Sequence, residues 1–173
     1  EKIDGTAATW IYEVENDSFR VFSHNWEVGE SGVWFDAARN VGLKGKMASY
    51  CKNHNLPSLV LQGEVVAPNV QKNLYNVSKA DLFIYGMMTI EGRRYCFKEM
   101  KEACAEMDIK TVPILSESEY MPDNIEALLK SCEGRSTQAD IPREGVVWRV
   151  TASGKDIHFK VKSRPYKVWF DKK

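Results

Sequence analysis

At 173 residues, with 43% hydrophobic and 28% charged side chains, the chain is long enough to bury a core, and its composition excludes a disordered or fibrous polymer. Its 24 basic and 24 acidic residues cancel, so total charge argues neither for nor against nucleic acid; clustering decides that. No apolar run reaches the length of a membrane span and no signal peptide is expected from the first residues. The four cysteines (Cys51, Cys96, Cys104, Cys132) include no Cys-x-x-Cys pair. That argues against zinc and for a reducing intracellular compartment, whether cytoplasmic, nuclear or organellar.

The chain starts Glu1-Lys2-Ile3-Asp4-Gly5 without an initiator methionine, which predicts that upstream sequence was cut away. Asp4-Gly5 is a turn signal. Residues 6–28 predict a hairpin with Glu15-Asn16-Asp17-Ser18 as its turn. Residues 34–54 predict one helix, or two short ones broken near Gly42–Gly45. Apolar, β-branched runs at 59–66 and 82–90 have strand length. Helical spacing follows at 97–107, and at 124–132 after Pro122. Residues 145–150 and 157–161 predict a second hairpin around Ser153-Gly154-Lys155-Asp156. There is no repeat and no low-complexity tract. Irregular alternation with antiparallel hairpins predicts an α+β fold rather than a doubly wound sheet.

Several short segments carry candidate chemistry. In Ile157-His158-Phe159-Lys160-Val161-Lys162, alternation puts Lys160 and Lys162 on one strand face, with ammonium groups about 7 Å apart. Such a pair can grip a polyanion or simply be a solvated face. The whole end of the chain is basic: Lys155, Lys160, Lys162, Arg164, Lys167, Lys172 and Lys173 stand against Asp156 and Asp171. Glu144, before Gly145 and an apolar run, fits a strand entrance, either as a solvated turn residue or as a ligand. Glu64 lies in so apolar a strand that it needs a partner, a hydrogen bond or a metal. Lys2, beside the Asp4-Gly5 turn, reads by itself as an ordinary surface lysine, with a nucleophile as the alternative.

Their order is more informative than any one of them. Lys-x-Asp-Gly-Thr, Gly63-Glu64, the aromatic strand with Phe83 and Tyr85, Glu144-Gly145-Val146-Val147 and Lys160-x-Lys162 follow one another across residues 1–162. This series resembles the covalent nucleotidyltransferase superfamily of polynucleotide ligases and mRNA-capping enzymes, and within it the ATP-dependent RNA ligases. The resemblance implies an antiparallel-sheet, ATP-grasp-like adenylation domain with helices flanking the sheets.

By that resemblance Lys2 is the nucleophile that takes AMP from ATP. A free lysine is almost entirely protonated at neutral pH and unreactive. A metal ion and the Lys160/Lys162 pair favour the neutral amine and offset phosphate charge. Asp4, Glu64 and Glu144 are implied to hold Mg²⁺ or Mn²⁺, largely through its waters. Tyr85 best matches the aromatic that stacks on adenine, with Phe83 on the same strand face as the alternative. Glu1 is expected to help read the base, and Arg164 to touch phosphate.

One departure stands out. The second motif of the family offers an arginine, whereas this sequence has Phe22-Ser23-His24-Asn25-Trp26; His24 can donate to ribose or phosphate but is only partly charged. By contrast, Val70-Gln71-Lys72-Asn73-Leu74-Tyr75 resembles the polar loop after Gly-Glu in RNA ligases. The expected partners are ATP and RNA ends or a nicked RNA duplex, with no membrane, for a monomer. Residues 1–173 are expected to form one adenylyltransferase domain, truncated at its N-terminus, with an OB-type domain missing upstream. DNA ligase, GTP-using capping enzyme and a non-catalytic RNA- or nucleotide-binding module are the alternatives.

Overall fold

Ala8, Trp10 and Tyr12 stand two residues apart, the period of a strand with one buried face. In the computed structural model these three are the buried residues of β1 (Thr6–Glu13). The structure describes residues 1–117, 120–152 and 155–172. The chain divides into two compact units: Gly5–Thr111, and Glu1–Asp4 together with Val112–Lys173.

In the first unit, β1 pairs antiparallel with β2 (Ser18–Phe22) and β4 (Ser58–Val66). β3 (Glu27–Val28) and β5 (Asp81–Met88) complete a five-stranded sheet in the order β3-β2-β1-β4-β5. Register places Trp10 opposite Leu61 and Val21, and Leu61 opposite Met87. That face joins residues of α1 (Val33–Asn40), α2 (Leu43–His54) and α3 (Phe97–Glu106), such as Ala37, Met47 and Met100, in one hydrophobic core. The other face carries Glu64, directly opposite Phe83 and Ala7.

The second unit has an antiparallel hairpin, β6 (Gly145–Ala152) and β7 (Lys155–Lys162), with α4 (Ile125–Ser131) and α5 (Arg164–Phe170). Local sequence explains the helix starts. The Asn124 side chain accepts from the Ala127 N–H at 2.8 Å, and the Ser163 hydroxyl accepts from the Tyr166 N–H at 3.2 Å. Both are N-caps, and Pro165 in the first turn of α5 suits a helix start.

The α+β class with antiparallel sheets is as expected, with several local differences. Gly5 lies at a bend outside the left-handed region, so Asp4-Gly5 is not a glycine-dependent turn. Glycine is needed there because an added Cβ would lie 2.3 Å from the Val65 carbonyl oxygen. The first hairpin turns at residues 14–17, and Ser18 already belongs to β2. Of the two expected alternatives for residues 34–54, the structure has the two helices, broken where Gly42 takes φ 66°. The strand expected to reach Ile90 ends at Met88.

β3 and α5 were not expected, nor was the short 3₁₀ turn Gln71–Asn73. In the second hairpin Lys155 and Asp156 belong to β7 rather than to the turn, and Ser153 and Gly154 lie outside the described residues, as does Lys173. The alternation that placed Phe83 and Tyr85 on one face is interrupted between them. β5 shifts register there, leaving Tyr85 as the extra residue of a bulge between the Gly63–Ile84 and Gln62–Gly86 pairs.

All four cysteines are free, and Cys51, Cys104 and Cys132 are buried. Burial pushes the Cys51 thiol up to about 11 and the Cys104 thiol up to about 12, and raises that of Cys132. The thiolate is the reactive form. A thiol reagent at neutral pH is therefore expected to modify half-buried Cys96 first, the other three reacting on denaturation; rapid native modification of Cys104 would contradict this packing. Urea unfolding gives a second check. Trp10, 0% exposed, is expected to cost about 3–5 kcal/mol on truncation to Ala. Trp26, 75% exposed, should cost within about 0.5 kcal/mol.

Candidate active site

Gly145 opens β6 directly opposite Lys162, the last residue of β7. An added Cβ at Gly145 would lie 2.1 Å from the Val161 carbonyl oxygen, so only glycine lets the two strands close at this point. Glu144 is thereby held at the mouth of the hairpin, where its own carbonyl accepts from the Ser163 N–H at 2.8 Å. The Lys2 N–H donates to the Gly145 carbonyl at 2.9 Å, bringing the N-terminal segment alongside.

The Glu144 side chain is 6% exposed and lies between two cations. Its Oε2 accepts from Lys2 Nζ at 2.5 Å, and its Oε1 is 3.4 Å from Lys162 Nζ. Lys2 is 16% exposed and Lys162 72% exposed. A carboxylate taken so far out of water is costly unless paired. The Lys2 contact therefore carries most of the compensation, because screening weakens the pair with exposed Lys162. Two lysines on one carboxylate leave a local excess of positive charge. Lys160, also exposed, continues it along the same strand face.

Asp4 and Glu1 flank the lysine. The hydroxyl of buried Tyr166, on α5, donates to Asp4 Oδ2, and its ring packs against Trp169 and Phe170 with centroids 5.8 Å away. The Glu1 side chain is buried, and its Oε2 accepts from the Thr137 N–H and hydroxyl, both at 2.8 Å. Its Oε1 is buried with no hydrogen-bond partner among the described residues. Arg164 is exposed at the start of α5.

In the other unit, Glu64 Oε1 accepts from the Gly5 N–H at 3.2 Å, which meets part of the need of an acid in an apolar strand. Phe83 is buried opposite it, with Lys110 Nζ 5.7 Å from its ring centroid, and Tyr85 is half-buried on the bulge. His24 is exposed in the β2–β3 loop, which is pinned by the Ser23 N–H donating to the Trp26 carbonyl at 2.8 Å. Gln71, Lys72 and Asn73 all take left-handed backbone angles, φ 46°, 58° and 49°.

The structure thus brings Lys2, Glu144 and Lys162 into direct contact. Asp4 and Glu1 are held beside the lysine by the chain itself, and Glu64 and Phe83 share one sheet face. Among the described residues no three His, Cys, Asp or Glu side chains converge as a ready metal cluster. Reading by residue missed Tyr166 and Thr137. Ser163 followed by Pro165 is a helix-start signal that would have found α5 and its buried tyrosine. Nothing local marks Thr137, whose contact with Glu1 spans 136 residues.

The RNA ligase family model matches residues 1–168. The chain belongs to the RNA ligase family. Among solved structures, it is similar to a Naegleria gruberi RNA ligase with pyrophosphate, at TM-score 0.82 and 26% identity, covering 99% of this chain and 50% of that one. A variant of the same ligase with ATP and manganese gives TM-score 0.82 and 26% identity, covering 99% and 51%. Another, with AMP and manganese, gives 0.80 and 26%, covering 99% and 50%. The present RNA ligase family chain therefore spans about half the length of these structures. No curated protein matches it by sequence. No helix among the described residues is long and apolar enough to cross a membrane.

The Lys2–Glu144 pair makes a stability prediction that is independent of chemistry. Glu144→Ala leaves a largely buried ammonium without its carboxylate and should cost about 1–3 kcal/mol. Lys2→Met combined with Glu144→Leu should recover much of that loss. Strict additivity in the urea-unfolding cycle would contradict a direct pair.

Proposed function

We propose that this chain is the adenylyltransferase part of an ATP-dependent RNA ligase. In the first step the Lys2 amine attacks the α-phosphorus of ATP, a nitrogen–phosphorus bond forms and pyrophosphate leaves. AMP then passes to an RNA 5′-phosphate, and an RNA 3′-hydroxyl displaces AMP to form the phosphodiester bond. The observation that carries this reading is the largely buried Lys2 ammonium held by Glu144, with Lys162 on the same carboxylate. The RNA ligase family match supports RNA over DNA ligase or mRNA capping.

Each residue's task follows from its chemistry. Glu144 aims Lys2 and keeps it from wandering, and the amine must lose its proton before it attacks. Lys160 and Lys162 bind the phosphates and offset the charge that builds on them in the transition state. Tyr166 fixes the Asp4 carboxylate. Asp4, Glu64 and Glu144 are the acids that the family resemblance assigns to a divalent ion, which would keep several of its waters. When bound, a divalent Mg²⁺ or Mn²⁺ adds positive charge that competes for Glu144 and favours the neutral amine. Phe83 or Tyr85 stacks on the base, His24 donates to ribose or phosphate, and Arg164 is a further phosphate contact.

Glu1 supports the choice of ATP. Its buried Oε1 lacks a donor among the described residues, and the exocyclic amine of adenine can supply one. Guanine presents a carbonyl oxygen at that position, so two acceptors would meet. Incubation with α-labelled ATP and Mg²⁺ or Mn²⁺ is expected to label the wild type and to leave Lys2→Ala unlabelled. Labelling by GTP should be weaker by about 100-fold or more, and Glu1→Gln should narrow that gap. A wild type that stays unlabelled with both metals sinks the enzymatic reading and leaves a nucleotide- or RNA-binding module.

A further inference from the structure

The loop between α4 and β6 holds both residues of the Glu1-Lys2 pair. Its two arms are joined where the Arg143 N–H donates to the Gly134 carbonyl at 2.8 Å and the Ser136 N–H to the Ile141 carbonyl at 2.9 Å. From inside this closed loop Thr137 reaches Glu1, and Glu144, directly after it, reaches Lys2. Thr137 is exposed, yet it turns two donors, its N–H and its hydroxyl, onto one oxygen of Glu1, a residue 7% exposed. Gln138 Nε2 donates to the Thr137 hydroxyl oxygen at 3.0 Å. That leaves the hydroxyl's own hydrogen for Glu1, which as a carboxylate only accepts. Two donors from one residue fix the plane of the carboxylate, whereas a single hydrogen bond leaves it free to turn about the bond. The other oxygen, Oε1, is thereby held in one direction, buried and without a donor among the described residues. An acceptor left so is costly, and a ligand's N–H relieves it.

We propose that Thr137 is a specificity-determining positioning residue, which aims Glu1 so that Oε1 meets the exocyclic amine of adenine. The inference rests on the ATP-dependent ligase reading above. Thr137 acts through Glu1 and need not touch the nucleotide itself. With the hydroxyl gone, Glu1 keeps only the backbone donor and its carboxylate turns about that bond. Oε1 then no longer tells an amine from a carbonyl oxygen. The base does not react, so this contact is made alike in the ground state and the transition state. Its loss therefore raises KM for ATP and leaves kcat in place.

The test compares wild type with Thr137→Val, which removes the hydroxyl and keeps the shape, and with Thr137→Ser, which keeps the hydroxyl. Lysyl-nucleotide formation is followed with ATP, with GTP and with purine riboside triphosphate, which is ATP without its exocyclic amine. Wild type should prefer ATP to the purine analogue by about tenfold in kcat/KM, the effect of one hydrogen bond to a charged group. In Thr137→Val that preference should fall to about twofold or less, through KM for ATP, because the two deletions remove the same interaction. GTP should gain on ATP in the same variant, and Thr137→Ser should keep the wild-type preference. Thr137→Ala gives the same reading if the valine variant unfolds. Equal slowing with all the triphosphates, or an unchanged preference, overturns the proposal and leaves Thr137 a structural residue. A wild type that takes the purine analogue as readily as ATP overturns it too. Failure of the ligase reading is distinguishable, since there the wild type takes no label from any of them. The affinities for AMP and for purine riboside monophosphate, which need no covalent step, then carry the same comparison. A preference for AMP that Thr137→Val loses supports the proposal, and one that is absent or unchanged overturns it.

Discussion

A carboxylate with 6% of its surface exposed is tolerable only where cations meet it, and Glu144 is met on both oxygens, by Lys2 and Lys162. Much else in its unit follows from this requirement. Lys2 reaches Glu144 because its own N–H is bonded to the Gly145 carbonyl, and Glu144 keeps its place because its carbonyl takes the Ser163 N–H. Ser163 in turn caps α5, whose Tyr166 hydroxyl bonds Asp4. The N-terminal segment, the hairpin and the last helix are thus joined by one short chain of hydrogen bonds around a single buried charge. Removing that charge is therefore expected to disturb structure and chemistry together.

Glu144 and Glu64 each depend on a neighbouring glycine. At Gly145 the absence of a side chain lets β7 close on β6 beside Glu144. At Gly5 it lets β4 approach, so that the backbone N–H of Gly5 reaches Glu64. At Glu64 the glycine's own N–H meets the carboxylate, whereas at Glu144 the Gly145 carbonyl anchors the Lys2 backbone whose side chain meets the acid. A backbone group cannot swing away as a side chain does, so in each case the glycine fixes one end of the contact.

Much of the fold was legible because its elements are strongly periodic. β1, β4 and α3 show their buried faces directly in sequence, as does the basic alternation of β7. What escaped was short or non-local. β3 has two residues and α5 seven, and α5 lies in a stretch whose positive charge masks its cap and proline. Asp4-Gly5 looked like a turn because proximity of β4 and left-handed backbone both select glycine. Tyr85 was placed by alternation, which a bulge interrupts.

At the site, residue chemistry left each of Lys2, Glu144 and Lys162 open between a solvated and a functional reading. Their order along the chain, through its resemblance to ligases, separated the two. The contact of Lys2 with Glu144 spans 142 residues, a pairing no local pattern contains. The central claim is that this paired lysine is the group that carries AMP. Peptide mapping by mass spectrometry after incubation with ATP and a divalent metal tests it most directly. The account predicts an acid-labile AMP adduct on the peptide that bears Lys2; an adduct on Lys160, on Lys162 or on no lysine would contradict it.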